Sequence, residues 1–155
     1  MMKVGQVLFC ASAGGHYTEI LQLSSLIKAY QGVVITEKTK ISNQTEIPTR
    51  YMPYSSRNEG FIYVFKFFYV CLLSLVYFIQ YRPKAIISTG VHSTLPLCLL
   101  GWLFRRKVIY IETVAVVDKP TLTGKIMYKF ASEFYVQWEE LLEVYPKGIY
   151  GGVLF

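Results

Sequence analysis

Apolar residues fall in short runs separated by polar, glycine-bearing breaks, and the runs alternate between strand-like and helix-like spacing. Val4 to Cys10 is a near-continuous β-rich run that stops at Ala11-Ser12-Ala13-Gly14-Gly15, after which Ile20, Leu23, Ile27 and Tyr30 recur at helical spacing. The pattern predicts a strand, a glycine turn and a helix. Gly32 opens a second strand over Val33 to Thr36; Glu37 to Thr49, polar and carrying Pro48, reads as a surface connection, and Arg50 to Tyr54 as a third strand. A turn-rich break, Ser55 to Gly60, precedes Phe61 to Ile79, the longest apolar segment. Lys84 to Ser88 then predicts a strand ending in Thr89-Gly90. Val91 to Phe104 predicts a helix with Thr94 as N-cap and Pro96 in its first turn, where a missing N–H costs little. Lys107 to Ile111 (strand), Thr113 to Thr121 (loop), Leu122 to Ala131 (helix), Phe134 to Gln137 (strand), Trp138 to Val144 (short helix) and Gly148 to Tyr150 (extended) complete the chain. Strands apolar on both faces, alternating with helices, imply an α/β domain with a parallel sheet covered by helices on both faces.

Composition narrows the function classes. A chain of 155 residues makes one domain, and 53% hydrophobic against 17% charged residues excludes a disordered one. The net charge of +6 suits an anionic partner: a phosphate-bearing ligand, an acidic lipid surface or nucleic acid. Nucleic acid fits poorly, because the basic residues are dispersed and the aromatics sit in an oily run rather than among charges. Nine of the ten acids are Glu and the sole Asp is Asp118, so no Asp-x-Asp pair exists and no metal site or cofactor is expected. Cys10, Cys71 and Cys98 are scattered through apolar runs and read as buried thiols of a reducing compartment. Met1 to Gln6 lacks the apolar stretch of a secretory signal, which places the expected location in the cytoplasm.

Four segments carry candidate chemistry. Ser12-Ala13-Gly14-Gly15-His16 lets backbone N–H groups approach an anion at a helix start, with His16 a ligand donor, a general base or a capping residue. It is neither the G-x-G-x-x-G dinucleotide fingerprint nor a Walker loop; Glu37 stands where a ribose-binding acid would, but without that fingerprint. Ser88-Thr89-Gly90-Val91-His92-Ser93 also follows a strand, and the two loops would form two walls of one cleft at the carboxyl edge of the sheet. Glu112, ending the Lys107 to Ile111 strand, is either an acid, base or sugar-orienting group, or a carboxylate emerging into water; Thr123 and Lys125 near a helix start suit a phosphate or a solvated helix face. Phe61 to Ile79 would reach about 28 Å as a helix, yet Lys66 leaves only Phe67 to Ile79 uncharged, which favours an interfacial or buried helix over a span. Arg105-Arg106-Lys107 at the end of the other oily helix would face anionic headgroups.

The combination of SAGGH, STGVHSTLP, IETVAVVDKPTLTGK and FYVQWEELLEVYPKGIYGG resembles the oligosaccharide-biosynthesis family that forms the membrane-associated, acceptor-binding half of a split glycosyltransferase. In that family the eukaryotic member partners the catalytic subunit that makes chitobiosyl-diphosphodolichol, and bacterial members act in capsular and exopolysaccharide assembly. A more distant likeness is to the amino-terminal half of the enzyme that adds N-acetylglucosamine to lipid I. The resemblance implies a Rossmann-like domain, the amino-terminal half of a GT-B type, metal-independent glycosyltransferase. A separate donor-binding subunit would supply the UDP-sugar, and the acceptor would be a polyprenyl-diphosphate-linked sugar at the cytoplasmic face of the membrane. Ser12, Gly14, Gly15 and His16 would then contact the acceptor diphosphate, with Ser88, Thr89, Gly90 and His92 as the second wall. Glu112, Thr123 and Lys125 match further family positions, and His16 followed by Glu112 are the candidate catalytic bases. With no amino-terminal anchor expected, attachment to the membrane surface falls to Phe61 to Ile79, peripherally or monotopically. The competing reading is a non-catalytic scaffold that brings the partner enzyme to the membrane.

Overall fold

Strands without a polar face can be buried only between covering layers, and the chain arranges them that way. In the computed structural model, which describes residues 6–38, 46–54, 60–90 and 92–154, the order is β1 (Val7–Cys10), α1 (Gly15–Gln22), α2 (Ser24–Ala29), β2 (Val33–Glu37), β3 (Thr49–Met52), α3 (Phe61–Tyr81) and β4 (Ala85–Ser88). There follow α4 (Leu95–Leu103), β5 (Lys107–Ile111), α5 (Leu122–Phe130), β6 (Glu133–Val136), α6 (Leu141–Val144) and β7 (Ile149–Tyr150). All seven strands form one parallel sheet in the order β3-β2-β1-β4-β5-β6-β7. The expected Rossmann-like α/β architecture is the one observed. The expected strand start at Val4–Gly5, positions 39–45 of the connection, 55–59 of the turn-rich break and Val91 lie outside the described residues.

Strand order fixes where a ligand can sit. From β1 the chain moves outward to β2 and β3, then returns through α3 to β4 on the other side of β1 and moves outward again. The β1–α1 and β4–α4 loops therefore lie side by side where the chain changes direction, the switch point at whose carboxyl edge open α/β sheets hold ligands in a crevice.

Two cores sandwich the sheet. On one face Leu8, Ile86, Val108 and Tyr110 meet Val70 and Phe78 of α3, Leu97 of α4 and Met127 of α5. On the other, Val7, Phe9 and Val34 meet Tyr17 and Ile20 of α1 and Ile27 of α2. This second layer reaches only part of the sheet: Ile87, Ile109, Ile111 and Tyr135 of β4 to β6 line an open apolar groove of about 300 Å³ with Leu23, Leu26 and Leu154.

Two local expectations need correction. The single helix implied by Ile20 to Tyr30 is broken at Leu23 (φ −84°, ψ 19°), whose N–H bonds back to Ile20 and whose side chain turns to the open groove. Thr94 does precede α4, with Pro96 in the first turn, but its hydroxyl makes no cap bond and pairs instead with the Ser88 hydroxyl at 3.2 Å.

Helix α3 is long and apolar enough to cross a membrane, with a mean hydropathy of 2.1. It touches the domain along a narrow stripe of Val70, Ser74 and Phe78, at the i, i+4, i+8 spacing of one helix face. Phe78 packs on Phe104, and the Tyr77 hydroxyl donates to the Tyr51 carbonyl at 2.8 Å. The opposite face is left bare: Phe61, Phe65, Phe68 and Ile79 are 89%, 76%, 64% and 60% exposed. Trp102, Leu103 and Phe104 at the end of α4 are exposed too, beside Arg105 and Arg106.

Candidate active site

The site begins with a strand that ends too abruptly for a side-chain cap. After Cys10 the chain turns through Gly14 (φ +83°) directly into α1, so the first amides of α1, at Gly15 and His16, face the edge without intrahelical partners. Gly14 and Gly15 are exposed, with open space where side chains would stand, which leaves an anion free access to those amides. Two contacts hold the loop: the Ala13 N–H donates to Glu37 Oε2 at 3.1 Å and the Ser12 N–H to the Gly90 carbonyl at 3.2 Å. Glu37, a ribose candidate in the sequence, is a buried brace for the glycine loop.

His16 is locked to the opposite wall. Its Nδ1 lies 2.8 Å from the Thr89 carbonyl oxygen, and the Thr89 hydroxyl donates to the His16 carbonyl at 2.9 Å. A carbonyl only accepts, so Nδ1 carries the hydrogen and Nε2 is the basic nitrogen of the neutral ring. The side chain remains 24% exposed. Gly90 (φ +107°) allows the close approach, since a Cβ there would meet the Tyr110 hydroxyl at 3.1 Å and His16 Cε1 at 3.5 Å.

Behind His16 stands a carboxylate that the sequence did not single out. Glu19, one helical turn on, is 1% exposed; its Oε1 accepts from the Val114 N–H (2.7 Å), the Thr113 hydroxyl (2.9 Å) and Gln137 Nε2 (3.4 Å). Burial alone would raise its pKa, but the interactions with His16, Val114 and Thr113 outweigh that and hold the carboxyl below its ordinary range. Gln137 also donates to the Glu112 carbonyl at 3.1 Å and accepts from the Leu154 N–H at 2.9 Å, while Trp138 Nε1 donates to the Val114 carbonyl at 2.7 Å. The Gln-Trp pair after β6 thus pins the loop after β5 against α1.

Glu112 is wholly buried rather than emerging into water. Tyr145 donates to its Oε2 at 3.0 Å, Thr121 to its Oε1 at 3.1 Å, and the Thr113 N–H to Oε1 at 3.3 Å. Burial pushes the carboxyl up, and these bonds only partly oppose it; burial and the adjacent Glu112 charge likewise raise the Tyr145 phenol. Thr121 meanwhile caps α5 by accepting the Gly124 N–H at 2.8 Å, so one carboxylate ties β5, α5 and the segment after α6 together. A Cβ at Gly124 would fall 1.8 Å from Glu112 Oε2 and 2.7 Å from the Tyr145 hydroxyl. Gly124→Ala is therefore expected to lower stability by about 1–3 kcal/mol, because this cluster cannot give way without losing buried bonds. Thermal melting of the purified variant checks it; an unchanged midpoint would show the cluster to be soft.

The remaining predicted residues divide by position. Ser88 is fully buried and accepts the Gly90 N–H at 3.2 Å, shaping the second wall rather than facing the crevice; Ser12 is buried as well. His92 packs on Tyr63 of α3, ring centroids 5.8 Å apart, and so joins this wall to the oily helix. Thr123 is buried in the first turn of α5, and exposed Lys125 lines an outer groove with Leu122 and Lys129; among the described residues neither is hydrogen-bonded to or ion-paired with His16. Of the thiols, Cys10 and Cys98 are buried and Cys71 is half-buried on α3. The arrangement offers an anion cradle, an imidazole of fixed tautomer and a neighbouring carboxylate, all at the switch point of the sheet's carboxyl edge.

Comparison with known proteins gives a consistent picture. The family described as "Oligosaccharide biosynthesis protein Alg14 like" matches residues 54–154. The UDP-N-acetylglucosamine transferase subunit ALG14 of Mus musculus is 32% identical over 95% of this chain and 82% of its own length. That of Homo sapiens is 30% identical over 94% and 81%. Among solved structures, Acinetobacter baumannii MurG aligns with a TM-score of 0.67 at 17% identity, over 86% of this chain and 42% of that one. UDP-N-acetylglucosamine 2-epimerase from Rickettsia bellii aligns with a TM-score of 0.72 at 8% identity, over 98% and 46%. At these identities the structural likeness is one of fold, and the chain spans less than half the length of either structure.

Proposed function

The chain belongs to the Alg14-like family of oligosaccharide-biosynthesis proteins, and from that premise we propose that it is the acceptor-binding, membrane-recruiting subunit of a two-chain inverting glycosyltransferase. A separate donor-binding subunit brings the UDP-sugar, and this chain presents a polyprenyl-diphosphate-linked sugar at the cytoplasmic face of the membrane. The relatives' name points to N-acetylglucosamine as the donor sugar. In this proposal the reaction belongs to capsular or exopolysaccharide assembly, a reading that the resemblance to bacterial members of the family supports.

One observation carries the reading: the crevice and the oily helix meet. The Tyr63–His92 contact puts the start of α3 beside the loop that holds His16, so a membrane-bound helix brings the crevice to the depth of a lipid headgroup. An acceptor that is half lipid and half sugar diphosphate fits that junction. Its diphosphate takes the amides at the start of α1, walled by Ser12, Gly14, Gly15, Ser88, Thr89, Gly90 and His92, with Thr123 and Lys125 at the start of α5 farther along the edge. The open groove over β4 to β6 supports a second chain, because a face of Ile87, Ile109 and Ile111 that no helix among the described residues covers lacks the layer such sheets require.

Mechanistically, His16 Nε2 takes the proton of the acceptor hydroxyl as that oxygen attacks the anomeric carbon of the donor. The carbon–oxygen bond to UDP breaks from the opposite side and UDP leaves with the electron pair, inverting the centre. Glu112, the second candidate base, is enclosed by its own hydrogen bonds and serves to hold the edge together.

Transfer from radiolabelled UDP-N-acetylglucosamine to membrane lipid, measured for this chain, its co-expressed donor-binding partner and the pair, tests the reading. Transfer that requires both chains is expected. Full transfer by the partner alone, unchanged by this chain, would overturn it.

A further inference from the structure

A buried carboxylate needs a reason, and Glu19 has only half of one. Its Oε1 is saturated by the Val114 N–H, Thr113 and Gln137, which offsets the cost of burying the charge. Its Oε2 is equally buried and, among the described residues, has no hydrogen-bond partner within normal distance. An acceptor left in that state calls for an explanation. It faces His16 Nδ1, 3.6 Å away and already donating to the Thr89 carbonyl at 2.8 Å. Both acceptors therefore face the same N–H, and neither faces Nε2.

We infer that Glu19 is a positioning residue for His16: Oε2 and the Thr89 carbonyl together hold the ring in the Nδ1–H tautomer with Nε2 toward the crevice, while Oε1 locks the carboxylate to the loop after β5 and to Gln137. This inference rests on His16 acting on the acceptor, and it adds the group that makes that action efficient. The carboxylate does two things there. It opposes ring flips that would bury the basic nitrogen, and it stabilises the imidazolium that forms when Nε2 takes a proton. Its own placement depends on residues far along the chain, Thr113, Val114 and Gln137, so the loop after β5 and the segment after β6 feed into the geometry of the glycine loop. The other carboxyl near His16, Glu112, is occupied by Tyr145 and Thr121 and cannot substitute.

Two measurements test this, one independent of turnover. In the full chain without partner, imidazole nitrogen-15 NMR should show His16 in the Nδ1–H tautomer, and Glu19→Gln should convert it to a mixture. In the reconstituted pair, Glu19→Gln should lower kcat at least about tenfold while changing the acceptor KM less than about threefold. In a His16→Ala background the same change should alter kcat by less than about twofold, because a residue that acts through His16 has nothing left to act on. Thr113→Val, which removes one lock on Glu19 and keeps its charge, should show the same dependence on His16 more weakly, and it serves if Glu19→Gln folds poorly. An unchanged tautomer in Glu19→Gln, or a Glu19 effect of full size in the His16→Ala background, would overturn the proposal. Loss of His16 without any effect on the pair would instead overturn the chemical role of His16, with the NMR result still standing as a statement about Glu19.

Discussion

His16→Ala is expected to cut sugar transfer by the reconstituted pair about 10²–10⁴-fold, the range that a positioned general base supplies. The imidazole is held at both ends of its residue by Thr89, so its basic nitrogen has one place to be. Removing the ring leaves the amides of the glycine loop untouched, so acceptor affinity should change far less than kcat. Assembly and membrane binding should be unaffected, since the side chain lies on neither the open groove nor the bare face of α3. Initial-rate kinetics over a range of acceptor concentrations separate these effects. If His16→Ala retains the rate of the pair, this chain is the scaffold of the competing reading and the base lies in the partner.

The second large effect concerns the membrane. Phe65 and Phe68 lie on the bare face of α3, 76% and 64% exposed, so replacing both by Glu removes little of the core. Each Phe buried in the interface is worth about 1.5–3 kcal/mol, so losing two weakens partitioning by about 3–6 kcal/mol, roughly 10²–10⁴-fold. Repulsion of the new carboxylates from acidic headgroups adds to that. Co-sedimentation with vesicles containing anionic phospholipid should bring down the natural chain and leave Phe65→Glu/Phe68→Glu in solution. Equal sedimentation of both would place attachment elsewhere. We favour a helix lying in the interface over a crossing one, because Val70, Ser74 and Phe78 are packed on the domain and Tyr77 is tied to Tyr51, contacts that a crossing helix would forfeit.

Much of this arrangement was readable from the residues, for a physical reason. Parallel strands buried on both faces must be apolar runs, and the loops that follow them at the carboxyl edge must turn sharply, so VLFC-ASAGG and AIIS-TG mark strand and crevice together. Helix α3 was equally plain, although it runs past the expected Ile79 to Tyr81, where Arg82 takes a left-handed conformation (φ +46°) immediately before Pro83, which cannot continue a helix. The break at Leu23 was not readable, because its apolar side chain continues the helical period even as it turns to the open groove. Glu19 is hidden in the sequence for a related reason. A Glu on an amphipathic helix reads as a solvated position, and what makes this one different comes from Thr113, Val114 and Gln137, roughly a hundred residues downstream. The only local signal was its spacing, three residues after His16, which places both on one helix face. Glu112 stands out in the sequence because it ends a strand, but its enclosure depends on Tyr145 and Thr121, which sequence spacing does not bring to it.

The central claim is that this chain holds the acceptor and its partner holds the donor. Equilibrium binding to the full chain alone, in detergent micelles, tests it most directly, using a short-chain polyprenyl-diphosphate-linked N-acetylglucosamine and, separately, UDP-N-acetylglucosamine. The account predicts saturable binding of the lipid-linked sugar, which excess UDP-N-acetylglucosamine does not displace. Saturable binding of the nucleotide sugar by this chain, with no binding of the lipid-linked sugar, would contradict it.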